Sequence, residues 1–228
     1  MCGRFVGFRP LEELMEFFPI DVSKVESSEN YIVAPSQEVL AIARYEEKNH
    51  LVKFNWGLVP FWTKDKSLGN RMINARSETV ASKPSFRSAY KKRRCLILAD
   101  GFFEWKSEKG QKQPMFLTLP DGHPFAFAGL WETWDNKGKE ETPYRSCTIL
   151  TREASESVRP IHHRMPVILK PEAFEPWLDT NNQDAGALQK IIQTQIYTEL
   201  VATPVSKQVN SLRNNRPENI KSIETEDS

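Results

Sequence analysis

Apolar and polar positions follow two different rhythms along this chain. Leu11, Leu14, Met15 and Phe18 recur at three- and four-residue spacing behind Pro10, the helical period with a proline in its first turn. This predicts a helix over residues 10–18 whose stripe faces the core. Leu188, Ile191, Ile192 and Ile196 repeat the spacing near the other end, after a shorter helical segment over 174–178, and both are expected to pack on a sheet. The rest is dominated by short β-rich runs at 39–43, 51–56, 95–99, 115–119, 125–130, 144–150 and 167–169, separated by turn-forming residues. Two of these runs flank Pro120-Asp-Gly-His-Pro124, a pattern that predicts a hairpin with antiparallel pairing. With no internal repeat, regular β–α alternation or Gly-rich linker, the pattern predicts one α+β domain on a mostly antiparallel sheet. The polar stretch 213–228, ending KSIETEDS, is expected to be a flexible tail.

Composition narrows the class without naming an activity. The 228 residues are 39% hydrophobic, 27% charged and 11% aromatic, ordinary for a soluble globular protein though rich in Trp. Thirty-one basic and thirty acidic residues nearly cancel, so nucleic-acid binding would need local patches, not net charge. Three cysteines without a C-x-x-C encode neither a disulfide framework nor a four-Cys zinc site, and a reducing cytoplasm is the expected location. MCGRFVGF lacks the features of a signal peptide, and no stretch of about 18 apolar residues is present, so no membrane partner is expected.

The N-terminus carries the first chemical signal. Trimming of Met1 ahead of a small Cys2 leaves a free α-amine beside a thiol on one residue. The amine titrates at about 7.7–8.0 and the thiol at about 8.5, so both keep a reactive fraction near neutrality. An aldehyde uses both groups: the amine forms a Schiff base, and the thiol closes it to a five-membered thiazolidine. The plainer reading of the same residues is a small buried cysteine.

Further signals each carry a plainer alternative. Lys83, Arg87, Lys91, Lys92, Arg93 and Arg94 form a basic run without an acidic residue, read as a phosphate-binding patch or as a solvated turn before a strand. Aromatics in Trp56-Gly-Leu-Val-Pro-Phe-Trp62 and Gly101-Phe-Phe-Glu-Trp105 suit base stacking or a core. Glu104 sits between Phe103 and Trp105, an apolar setting that suits a carboxyl to proton transfer. Ile161-His-His-Arg-Met-Pro166 sets two imidazoles and a guanidinium before a β-rich run. The two adjacent rings are expected to point to opposite sides, and with His50 and His123 as the other histidines no metal site or cofactor is expected.

The order of MCGR, Ala34-Pro35, WGLVPFW, Asn74-Ala-Arg-Ser-Glu-Thr79, Arg94-Cys-Leu, Asp100-Gly-Phe-Phe-Glu-Trp105, Ala128-Gly-Leu-Trp131, Ile149-Leu-Thr151, HHRMP and Thr203-Pro-Val-Ser-Lys-Gln-Val-Asn210 closely resembles the SRAP family, the SOS-response-associated peptidase-like proteins, over residues 1–212. The resemblance implies a single SRAP domain with a barrel-like β core and flanking helices. It implies binding of single-stranded DNA and a covalent crosslink to abasic sites through mature Cys2, with the protein acting as a monomer. By the same resemblance Asn74 orients Cys2, Glu104 handles the amine's proton, and His162, not His163, assists sugar-ring opening. Arg4, Arg76 and Arg164 correspond to phosphate ligands, and Pro35, Trp62 and Trp105 to wedges against the flanking bases. Ile32 stands where members commonly carry Asn, and the stretch near Pro84 lacks an Arg that some members use, leaving Lys83 or Arg87 to make that contact.

Three other classes compete. Class II glutamine amidotransferases also begin Met-Cys-Gly, but their other motifs do not match here. A thiol autopeptidase would remove its own leader, with Met1 as the candidate. A non-catalytic nucleic-acid-binding module would bind without a covalent product.

Overall fold

In the computed structural model, which describes residues 2–135 and 142–223, the strands in chain order are β1 (Arg4–Gly7), β2 (Val22–Ser23), β3 (Asn30–Val33), β4 (Glu38–Tyr45), β5 (Lys48–Trp56), β6 (Asn74–Arg76), β7 (Arg94–Ala99), β8 (Gly101–Glu108), β9 (Gln111–Thr118), β10 (Phe125–Trp134), β11 (Tyr144–Glu153), β12 (Arg164–Pro166), β13 (Ile168–Leu169) and β14 (Val201–Pro204). The α-helices are α1 (Leu11–Phe17), α2 (Arg87–Lys92), α3 (Phe174–Leu178) and α4 (Ala185–Thr194).

Strands β5, β4, β7, β10 and β11 pair in that order by antiparallel ladders. β11 then meets β5 again in parallel, Ser146 opposite Asn55 and Cys147 opposite Trp56, so the sheet closes into a ring. The expected barrel-like core is present. Alternation along β7 explains its unbroken apolar run, because both faces are buried. Cys95, Ile97 and Ala99 join Phe54, Trp56, Phe127 and Ile149, while Leu96 and Leu98 join the cluster that receives Leu14, Trp177, Leu188 and Ile192 from the helices. Gly129 lies where β10 crosses β7; a Cβ there would approach Cys95 Sγ and Ile97 Cδ1 at 2.8 Å.

A second sheet runs in the order β14-β9-β8-β1-β3, with the N-terminal strand inside it. One face gives Phe5, Val33, Phe102 and Leu117 to the cluster shared with the ring. The other carries Val6, Ile32, Phe103 and Phe116, covered by Val205, Val209 and the partly buried Ile220. Ile32 thus occupies a core position in β3.

Three sequence expectations about the fold require correction. The 115–119 and 125–130 runs do not pair: β9 bonds β8 and β14, whereas β10 bonds β7, β11 and β13. The Asp121-Gly122 turn is real, but both strands have their edges taken by other partners, so the chain crosses between sheets there. Met15 is 54% exposed, because the short α1 presents Leu11, Leu14 and Phe17, with the following Phe18, to the core. The tail is held through Ile223: Asn219 is buried, Tyr31 N donates to Asn215 Oδ1 at 2.7 Å, and Ile223 N donates to Pro204 O at 3.0 Å. Residues 224–228 lie outside the described residues.

The basic run also divides. Arg93 pairs with buried Glu132 at 2.8 Å. Arg94 is itself buried and donates to the carbonyls of Trp177 at 2.6 Å, Tyr90 at 2.9 Å, Lys91 at 2.6 Å and Asn182 at 3.0 Å, and to that of Asp179. Its guanidinium thereby satisfies carbonyls at the ends of α2 and α3 that have no helical donor, and burial lowers its pKa to about 10. Neither arginine is available to phosphate.

Arg94→Met orphans those carbonyls, and each buried acceptor left unpaired costs about 1–3 kcal/mol. The expected loss is about 3 kcal/mol or more, read as a lower urea midpoint. Arg94→Lys should recover only part of it, since an ammonium has three donors and a guanidinium five. An unchanged midpoint for Arg94→Met would remove Arg94 as the anchor of these two helices.

Candidate functional site

Cys2 sits at the head of β1, two residues before Arg4, and is fully buried. Antiparallel register sets Arg4 opposite Phe103 and Phe5 opposite both Phe102 and Val33. Glu104 and Trp105 follow Phe103 in β8, and Pro35 lies two residues beyond Val33, just past the end of β3. The two sheets meet here, because Asn74 Nδ2 on β6 donates to the Cys2 carbonyl at 2.8 Å. The Cys2 thiol faces the Arg4 carbonyl at 3.9 Å. Burial pushes this thiol well above its ordinary range, and the charge of Glu104, itself 3% exposed, pushes the same way. Cys2, Asn74 and Glu104 are therefore one group.

His162 lies on the segment that leads into β12. β6 and β12 both pair with β11, Asn74 opposite Ile149 and Arg164 opposite Glu153. His162 Nδ1 lies 2.9 Å from Arg164 N and 3.0 Å from Arg164 O, so the Arg164 backbone holds the ring by this nitrogen. The rings of His162 and His163 do not diverge as an extended segment would require: they stack at 4.4 Å between centroids with 25° between planes. The cause is backbone, since residues 159–161 form a turn and the strand begins only at Arg164. His163 is the more exposed of the two.

The three expected phosphate ligands have unlike surroundings. Arg76 is exposed at the end of β6. Arg164 is 8% exposed and its fork is engaged, Nη1 donating to Glu78 Oε1 at 2.6 Å and Nη2 to Glu78 Oε2 at 3.0 Å and Thr151 O at 2.8 Å. These hydrogen bonds, followed by the charges of Arg164 and Arg76, hold the Glu78 carboxyl below its usual range against the opposing effect of desolvation. Arg4 donates to Val209 O and, at 3.0 Å, to Asn210 O, with its guanidinium 5.4 Å from the centre of the Trp105 ring.

Among the expected wedges, Trp105 is half-buried and donates from Nε1 to Asn210 Oδ1 at 2.9 Å. Trp62 and its neighbour Phe61 are 51% and 55% exposed on the loop after β5, whereas Trp56, Phe102 and Phe103 are core. That loop leaves from beside β6, where Leu58 N donates to Met72 O at 3.2 Å. Lys83 and Arg87 are exposed on the turn leading into α2. Glu78 and Thr151, which hold Arg164, and Asn210, which holds Arg4 and Trp105, did not stand out individually in the sequence. Glu78 stands inside the quoted Asn74–Thr79 string, and that was the available signal. Among the described residues no group of three His, Cys, Asp or Glu is arranged to hold a metal, and no helix is long and apolar enough to cross a membrane.

The Glu78–Arg164 pair carries a pH signature. Because the folded carboxyl titrates below its unfolded value, the stability it adds is present above the unfolded Glu pKa of about 4.3 and disappears as pH falls through the lower folded value. Glu78→Gln should lower stability at pH 7 and flatten the acid limb of a plot of Tm against pH. An acid limb identical to that of the parent protein would show that the pair contributes nothing.

A family model described as SOS response associated peptidase (SRAP) matches residues 1–212. The chain is 44% identical over 225 residues to the Bacillus subtilis abasic site processing protein YoqW, covering 97% of this chain and 100% of that one. It is 34% identical over 183 residues to the Escherichia coli abasic site processing protein YedK, covering 78% and 79% of the two chains. Among solved structures, a Bacteroides thetaiotaomicron protein superposes with a TM-score of 0.85 over 97% of this chain and 100% of that one at 24% identity, so it bears on the fold alone. A Bordetella bronchiseptica protein superposes at 0.74 with 26% identity, over 90% and 100%. A family match over residues 1–212, joined to full-length similarity at 44% identity, establishes that the chain belongs to the SOS response associated peptidase family.

Proposed function

We propose that this chain binds single-stranded DNA at abasic sites and crosslinks to the lesion through Cys2, shielding it in the DNA damage response. The observation that carries this reading is the setting of Cys2: the second residue of the chain, buried, with its carbonyl held by Asn74 and its thiol under the influence of Glu104. The names of the B. subtilis and E. coli relatives, abasic site processing proteins, give the substrate class.

The chemistry follows from the two nucleophiles of a mature Cys2. An abasic sugar is mainly a closed hemiacetal, and opening it moves a proton from the anomeric hydroxyl to the ring oxygen, the task assigned to His162. The freed aldehyde carbon takes the Cys2 amine, and loss of one water gives the imine. Glu104 accepts and returns the protons of that exchange. The thiol then adds across the C=N bond, sulfur to carbon and hydrogen to nitrogen, closing the thiazolidine with no net proton released. A thiol kept protonated by burial suits this order, since the imine must form before sulfur has an electrophile worth attacking. Asn74 fixes the residue that supplies both nucleophiles, which lowers the entropic cost of ring closure.

Arg4, Arg76 and Arg164, with Lys83 or Arg87, would hold phosphates, and Pro35, Trp62 and Trp105 would flank the lesion. Such contacts position the strand without reading its sequence. Arg164 exchanges part of its Glu78 pairing for phosphate in this scheme. Residues 1–212 act as one domain, as a monomer.

A uracil-containing oligonucleotide treated with uracil glycosylase, incubated with the protein and resolved on a denaturing gel, tests the proposal. A shifted covalent band should form with the abasic strand and not with its undamaged counterpart. Cys2→Ser should give at most a weaker adduct, and a non-removable N-terminal tag should abolish the stable one. Undiminished crosslinking by the tagged protein would falsify the assignment.

The two acid–base residues separate by substrate. His162→Ala should slow crosslinking at a closed abasic sugar more than reaction with a strand already presenting a free aldehyde. Glu104→Ala should slow both. A positioned acid or base is worth about 10²–10⁴-fold, a range that single-turnover rates at saturating DNA resolve. Equal slowing of both substrates by His162→Ala would take ring opening away from His162.

A further inference from the structure

The division of the basic run leaves a question about the path of the strand, since two of its six cations are internal. A second set of cations lies beside Gly3 and Arg4, next to Cys2 in the chain. Gly3, Arg4, Trp105, Asn210 and Lys112 line an open recess of about 320 Å³. Lys112 also lines an adjoining recess of about 410 Å³ with Lys109, Gln113 and Lys207. Lys112 is thus common to both, and it links the head of β1 to the 3₁₀ turn Lys207–Asn210. That turn is pinned to the site, since Arg4 donates to the carbonyls of Val209 and Asn210 and Trp105 donates to the Asn210 side chain. Lys112 and Lys207 are exposed, and no salt bridge engages either among the described residues. The carboxylate in the second recess, Glu108, is paired with Lys106 at 3.3 Å.

Unpaired ammonium groups along a continuous trough are a backbone-tracking surface, and an aromatic at one end supplies a stacking platform. Resting on the crosslinking reading, we propose that the strand on one side of the lesion leaves Cys2 past Trp105 and runs along the trough, with Lys112 and Lys207 contacting successive phosphates. The strand on the other side passes Arg76 and the 83–87 turn. Cys2 then lies between two cationic tracks, and the Lys207-containing segment 203–210 acquires a role beyond covering the second sheet.

The test uses strands carrying a tetrahydrofuran abasic analogue, which has no aldehyde to crosslink, for affinity and true abasic strands for crosslinking, each built with flanking nucleotides on the 5′ side only or the 3′ side only of the lesion. For single strands the slope of log K against log salt is about −0.7 per phosphate contact. Lys112→Ala/Lys207→Ala should make the slope shallower by about 1.4 on one flank polarity and leave the other unchanged. Lys24→Ala/Lys190→Ala, which removes the same charge from exposed sites outside both recesses, should change neither. A parental slope on both polarities would overturn the lysine track, and so would an equal loss on both. Failure of the parent protein to crosslink any abasic strand would instead overturn the reading of Cys2, while the affinity series would still decide whether the lysines hold the strand.

Discussion

A nucleophile on the second residue of a chain must be held still by something other than the chain before it. Here that constraint is met by making the first strand an interior one. β1 is hydrogen-bonded to β8 on one side and β3 on the other, so its backbone cannot fray as exposed termini do. Its far end is closed by buried Asp100, which accepts from Phe8 N at 2.8 Å and from Arg9 Nε at 2.7 Å. Its near end is closed by Asn74. Everything proposed for Cys2 depends on this double anchoring, because the amine and thiol of one residue can meet one carbon only if that residue has a single position.

The anchoring carries the geometry of the ring into the site. β11 is the common rail: Ile149 sets the level of Asn74, Thr151 that of Arg76, and Glu153 that of Arg164. The Arg164 guanidinium returns to the Thr151 carbonyl, so three of the candidate side chains are referred to three alternate residues of one strand. A slip of one residue would turn each to the opposite face. The closure of β11 onto β5 makes such a slip costly, since it would also break the pairing at Cys147 and Trp56 and the packing of Gly129 against Cys95.

How much of this was legible follows from which forces are local. The helical stripe of α1 and the apolar runs of β4, β7, β10 and β11 were readable because burial imposes its period directly on the residues concerned. Strand partners were not: Asp121-Gly122 forms a turn in either topology, and only the occupied edges of β9 and β10 decide against a hairpin. β1 and β8 escaped notice as strands because Cys2-Gly3-Arg4 and Gly101-Phe-Phe-Glu read as motifs first, and the same residues prove to be both. Arg93 and Arg94 looked like part of a phosphate patch since charge is visible in sequence and depth is not. The grouping of Cys2, Asn74 and Glu104 came from family resemblance; their contact depends on two sheets meeting, which no spacing along the chain encodes.

The electrostatic logic of the site also differs from what charge alone conveys. A net charge of +1 gives little long-range attraction, so the cations that matter must be preorganised. Arg4 and Arg164 are already oriented, one by backbone carbonyls and the other by Glu78 and Thr151, at the expense of part of their hydrogen-bonding capacity. In the proposed reaction, a phosphate arriving at Arg164 would compete with the Glu78 carboxylate and gain only the difference between the two pairings. Arg76, Lys83, Arg87, Lys112 and Lys207 are exposed and supply the salt-sensitive remainder. Selectivity for a lesion then cannot reside in the phosphate contacts, which every strand offers. In the proposed reaction it would reside in the one group an intact nucleotide lacks, an aldehyde, which alone can take the amine of Cys2.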